Sequence, residues 1–137
     1  MNQPTAQEGA SGRGLRCFLV EDSPVIRQNL IATLEEMLPI SVVGFADDEA
    51  GALKWMRGDG ADCDLMIIDI FLRAGSGLEV LRSARLLRPA ARLVVLTNFA
   101  TPDMRRRCLQ LGADRVFDKS AELDELLHYC EAMASLD

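Results

Sequence analysis

Short aliphatic runs alternate with longer stretches of helical period from Arg16 onward, and this alternation predicts a parallel sheet covered by helices. Five such repeats follow one another. Cys17 to Val20 reads as a first buried strand. Ser23 and Pro24 then suit a helix cap and the first helical position, and Ile26, Leu30, Leu34 and Met37 or Leu38 recur as one core-facing stripe ending before Pro39. Ile40 to Phe45 reads as the second strand, with Asp47 or Asp48 capping a helix that carries Ala52, Leu53 and Met56 and stops near Gly58. Leu65 to Ile68 is apolar at every position, as a central parallel strand should be, and it delivers Asp69 to its C-terminal end. Ser76 and Glu79 have the spacing of a capping box ahead of Leu78, Leu81 and Leu86. Leu93 to Leu96 is the fourth strand, and Thr101-Pro102-Asp103 opens a helix ending at Gly112. Arg115 to Phe117 forms a short fifth strand, after which Ser120 caps a last helix with Leu123, Leu126, Leu127 and Cys130 as its apolar stripe.

At 137 residues, with 49% hydrophobic and 26% charged, the chain has the size and composition of one soluble domain. Residues 1–14 are rich in Gly, Gln, Ala and Ser and are expected to be a disordered leader, leaving 15–137 as the domain with no further one after it. The net charge of −6 repels a phosphate backbone, so direct nucleic-acid binding is not expected. No apolar run reaches the roughly 18 residues of a membrane span. Cysteines 17, 63, 108 and 130 are widely spaced, which fits reduced thiols in the cytoplasm better than a metal site. Asp62-Cys63-Asp64 lies before its strand, at the wrong end of the sheet for a site, and reads as a turn. His128, on the last helix, is assigned no catalytic role.

Ligands of an open doubly wound sheet bind beyond the carboxyl ends of the strands. Those ends carry Glu21 and Asp22, Asp69, Thr97 and Lys119. Two carboxylates about 4 Å apart repel by roughly 4 kcal/mol at an effective dielectric near 20, so the three acids call for a positive partner. Oxygen ligands alone favour Mg²⁺, which binds through one or two carboxylates together with a phosphate oxygen. Lys119 and Thr97 would then serve the phosphoryl oxygens, and Asp69 would be the nucleophile that becomes an aspartyl phosphate.

These residues sit in CFLVEDSP, LMIIDIFL, GSGLEVL, VVLTN and GADRVFDKS, and together they resemble the receiver domain of two-component response regulators from Leu15 to about Ala134. Thr97 and Lys119 are also spaced as in that family. The resemblance implies an α/β doubly wound five-stranded parallel sheet, (βα)5, of flavodoxin-like order 2-1-3-4-5 in three α/β/α layers. It implies a cytoplasmic phosphoacceptor switch rather than an enzyme. Asp69 would accept a phosphoryl group from a phosphohistidine of a sensor histidine kinase or histidine phosphotransfer protein. Asp22, Asp69 and the backbone carbonyl of Phe71 would ligate Mg²⁺, with Glu21 acting through water. Lys119 would contact the phosphoryl oxygens, and Thr97 would move toward them. The first helix, around Val25, Arg27 and Gln28, would be a partner surface. Output would pass to a downstream protein, with a homodimer through the fourth helix, fifth strand and last helix as an option. Arg105 to Arg107 reads first as a solvated helix face, and as an interface could there pair with Glu122, Asp124 or Glu125 of another copy.

Four positions depart from the family pattern: Glu21 for the more frequent aspartate, Val116 for an aromatic, Ser120 for a proline, and Asn98 for a small residue after Thr97. Period-two alternation points Phe117 away from the face of Val116, so it does not replace the missing ring. Asn98 is expected to narrow access, and Phe71 and Phe99 to overhang the phosphoryl group and slow its hydrolysis. A phosphatase with an aspartyl intermediate is the alternative enzyme, but its general acid would stand where this chain has Phe71. A nucleotide module would need a phosphate loop where Glu21-Asp22-Ser23-Pro24 lie. A constitutive binding module on the same fold is the remaining alternative.

Overall fold

The computed structural model describes residues 14–58 and 63–135. Five strands, β1 (Leu15–Val20), β2 (Ile40–Ala46), β3 (Leu65–Ile68), β4 (Arg92–Thr97) and β5 (Arg115–Asp118), pair in parallel in the order β2-β1-β3-β4-β5. The helices between and after them are α1 (Pro24–Met37), α2 (Glu49–Arg57), α3 (Gly77–Leu87), α4 (Pro102–Gln110) and α5 (Leu123–Ser135). This is the expected flavodoxin-like order in three layers. The expected leader falls almost wholly outside the described residues, as does Asp62 of the Asp62-Cys63-Asp64 turn. Among the described residues no helix is long and apolar enough to cross a membrane.

Alternation along each strand divides the core in two. Phe18, Val20, Met66, Ile68, Leu93, Val95 and Val116 pack with Ala52, Met56, Val80, Leu81, Ala84 and Cys108 of α2, α3 and α4. Cys17, Leu19, Leu65, Ile67, Val94, Leu96 and Phe117 pack with Leu30 and Leu34 of α1 and with Leu126 and Cys130 of α5. Val116 and Phe117 thus face opposite layers, as alternation requires. Every residue of β3 is buried, which is the burial its uninterrupted aliphatic run demands.

Caps set where the helices begin. Ser23, Asp48, Ser76 and Thr101 each accept a backbone N–H of the first turn, and Pro24 and Pro102 occupy the first helical positions. Three expectations are corrected. Ser120 does not cap α5: Asp118 accepts the N–H groups of Ser120 and Ala121 and the Ser120 hydroxyl, so the chain makes a turn and the helix starts at Leu123. Leu86 lies in solvent, and the buried stripe of α3 is Gly77, Val80, Leu81 and Ala84, while of Met37 and Leu38 it is Leu38 that packs against the core. The capping box of α3 is only half local, since Glu79 binds Arg82 while the Ser76 N–H goes to Glu49 of α2.

Candidate functional site

The backbone ladder continues one residue past the strands and so aims the side chains that follow. Asp69 N–H donates to the Val20 carbonyl at 2.9 Å, Glu21 N–H to Ala46 at 3.0 Å, and Lys119 N–H to Thr97 at 2.8 Å. Glu21, Asp22, Asp69 and Lys119 therefore converge beyond the carboxyl edge, in a cleft of about 200 Å³. Phe71, Asn98 and Phe99 form part of its wall, as do Ser23 and Ile26.

Glu21 and Asp69 are buried, and Asp22 is half-buried. One oxygen from each of these three carboxylates lies within 4.8 Å of the other two. Lys119 Nζ stands 2.6 Å from Glu21 Oε1 and 2.9 Å from Asp69 Oδ2. Burial on its own lowers the Lys119 pKa, but the hydrogen bonds to Glu21 and Asp69 outweigh it and hold the ammonium above the ordinary lysine value. The second oxygens are engaged by backbone: Ser23 N–H donates to Glu21 Oε2 at 3.0 Å and Phe71 N–H to Asp69 Oδ1 at 3.3 Å. One ammonium does not neutralise three carboxylates, and the uncompensated charge together with an all-oxygen donor set fits a hard divalent cation.

Thr97 is fully buried at the end of β4. Its Oγ1 accepts the Phe99 N–H at 3.2 Å, so the hydroxyl is engaged with its own loop rather than forming part of the cleft wall. Phe71 and Phe99 are about half exposed, with rings edge to face. Asn98 is exposed. Val116 is buried on the α4 side of β5, and His128 is an exposed residue of α5.

Arg105 has its partners within its own chain. Its guanidinium binds Glu122 of the same chain at 2.7 Å and the carbonyls of Ala100 and Val116 at 3.0 and 2.9 Å. These intrachain bonds occupy Arg105 and Glu122, two of the groups expected to pair across two copies. Arg106 likewise pairs with Asp103, one turn earlier. Two features escaped the sequence. Ile26, counted as a core residue, lines the cleft, and Arg27 donates to the Glu21 carbonyl at 3.0 Å while covering the Phe45 ring. Only the position of both residues in the first turn and a half after Glu21-Asp22 could have signalled it.

The family description "response regulator receiver domain" matches residues 17–131. A protein named as a transcriptional regulator in Pseudomonas aeruginosa is 34% identical over 118 residues, which is 86% of this chain and 56% of that protein. The response regulator UvrY of Escherichia coli K12 is 27% identical over 113 residues, 82% of this chain and 51% of its own. The chain thus spans about half the length of these curated relatives. The crystal structure of a two-component response regulator of the LuxR family from Aurantimonas sp. SI85-9A1 superposes with a TM-score of 0.79 at 26% identity, covering 89% of this chain and 86% of that one. With five parallel strands in the receiver order and the family match over residues 17–131, the chain belongs to the response regulator receiver domain family.

Proposed function

We propose that this chain is a phosphoacceptor switch of a two-component or phosphorelay system, with Asp69 as the acceptor. The observation that carries this is the placement of a buried Asp69 carboxylate 2.9 Å from Lys119 and beside Glu21 and Asp22, at the end of the central strand. The donor is a phosphohistidine of a sensor histidine kinase or histidine phosphotransfer protein. An Asp69 carboxylate oxygen attacks phosphorus, the P–N bond breaks, and its electron pair stays on the imidazole nitrogen, which then takes up a proton. Lys119 exchanges its bond to Asp69 for one to a phosphoryl oxygen and offsets the charge that moves onto this edge.

Asp22, Asp69 and the Phe71 carbonyl would hold Mg²⁺, with Glu21 acting through water, and the ion would supply charge neutralisation at the phosphoryl oxygens. Thr97 reports the new charge. Its hydroxyl leaves the Phe99 N–H for a phosphoryl oxygen, and the loop after β4 follows, which biases a two-state equilibrium in favour of a downstream protein partner. A homodimer through the α4, β5 and α5 face is a second route of output, with the Arg105–Glu122 pair kept within each copy.

The test is intact mass after incubation with Mg²⁺ and acetyl phosphate, for wild type and Asp69→Ala. A Mg²⁺-dependent gain of one phosphoryl group on wild type alone is expected, and an equal gain on both overturns the assignment.

A further inference from the structure

The segment leading away from Asp69 is held by the start of α2. Glu49 Oε1 accepts the Ser76 N–H at 2.9 Å, and the Glu49 N–H donates to the Ala74 carbonyl at 3.2 Å. Gly75 lies between these contacts at φ +84°, where a Cβ would overlap the Glu49 side chain. Two residues further, the Gly77 N–H donates to the Ile70 carbonyl at 2.9 Å, and the missing Cβ of Gly77 lets it rest against the Asp69 carbonyl. A contiguous path of contacts thus runs from Glu49 through Ser76 and Gly77 to the Asp69 peptide.

A local capping box would tie α3 only to itself, whereas Glu49 ties its first turn to a different element. The bond from a carboxylate to a backbone N–H is charge-assisted, and Glu49 is half-buried. The neighbouring tie, Arg73 to Asp47, is an exposed ion pair with side chains 63% and 40% accessible and contributes little. Glu49 is therefore the main anchor of the loop between β3 and α3.

We infer that Glu49 is a positioning residue for phosphoryl acceptance: through Ser76 and Gly77 it fixes the Asp69 peptide and the loop that carries the Phe71 carbonyl. This rests on the function proposed above. The full chain is compared as wild type, Glu49→Ala and Glu49→Gln for Mg²⁺ affinity, for the rate of phosphorylation by acetyl phosphate, and for the thermal midpoint, with rates taken well below every midpoint. Removing an outer partner of a metal site typically weakens it by about 10- to 100-fold, and Glu49 acts one link further out, so Glu49→Ala should lose roughly threefold to tenfold in affinity and rate. Glu49→Gln keeps an acceptor oxygen for Ser76 and should recover to within about twofold of wild type. Should Glu49→Ala fail to fold, Glu49→Asp shortens the arm at constant charge and should show the same loss.

A Glu49→Ala protein whose only change is a lower midpoint overturns the inference, as does Glu49→Gln impaired as severely as Glu49→Ala. A wild type that neither binds Mg²⁺ nor accepts a phosphoryl group removes the functional reading and this inference together. A reactive wild type matched by Glu49→Ala removes this inference alone.

Discussion

The rings of Phe71 and Phe99 meet edge to face with centroids 4.7 Å apart, and both form part of the cleft that holds Asp69. Phe71 follows Asp69 by two residues and Phe99 follows Thr97 by two, so the pair joins the loops after β3 and β4. Aromatic contact of this geometry contributes about 0.5–1.5 kcal/mol beyond burial, enough to favour the paired arrangement while leaving it reversible.

Water attacking a phosphoryl group on Asp69 in line would have to pass these rings. Once formed, the phosphoryl group is expected to persist for many minutes to hours. Phe99→Glu opens the pair and should shorten that lifetime roughly tenfold. Intact mass followed over time after donor removal measures it, and an unchanged lifetime contradicts the aromatic cover.

Lys119 is expected to serve chemistry more than assembly of the site. Replacing it with Met leaves Glu21 and Asp69 without their cation, so Mg²⁺ affinity should hold or rise while phosphorylation slows on the order of 100-fold. Calorimetric Mg²⁺ titration beside the acetyl phosphate rate separates the two. A parallel fall in affinity and rate would mean that Lys119 chiefly orders the pocket.

The cysteines should react in order of burial. Burial pushes the Cys130 thiol up to about 11 and also raises Cys17, Cys108 and Cys63, of which only Cys63 is partly exposed. At about pH 8, iodoacetamide should alkylate Cys63 slowly and the other three only after denaturation. Peptide mass mapping checks this, and early labelling of Cys130 contradicts the packing of α5.

Glu122 should lend acid-sensitive stability. The Arg105 hydrogen bond and the Asp118 N–H hold its carboxyl below the ordinary value of 4.5. A depressed folded pKa gives stability that is present above the unfolded value and is lost as pH falls through the folded one. The thermal midpoint of wild type should therefore exceed that of Glu122→Gln near neutral pH, with the gap closing progressively below 4.5. A gap that stays constant with pH would show that the charge of Glu122 is not what stabilises the turn.

Much of this could be read from the chain because its period and punctuation agree. Leu65 to Ile68 has no polar position, so only a central strand can bury it, and that places Asp69 at the carboxyl edge. Ser23-Pro24 and Thr101-Pro102 mark helix starts by local chemistry, and both starts stand where that chemistry puts them. What stayed hidden depends on contacts between elements. Ser76 and Glu79 have the right spacing for mutual capping, yet Glu49, 27 residues from Ser76, takes the bond. Ser120 reads as a cap, but Asp118 captures its N–H and hydroxyl first. Arg105 reads as one of three solvated arginines, and only the folded chain brings Glu122 and the Val116 carbonyl to it. Thr97 belongs to the strand ends by sequence, while the direction of its hydroxyl is set by the Phe99 N–H.

The most direct test of the central claim is to locate the phosphoryl group itself. Wild type incubated with Mg²⁺ and a phosphohistidine donor is treated with borohydride, which reduces an acyl phosphate to the alcohol, and its peptides are sequenced by mass. Reduction at Asp69 alone is the result this account predicts; reduction at Asp22 or Glu21, or a phosphoryl group found on His128, would contradict it.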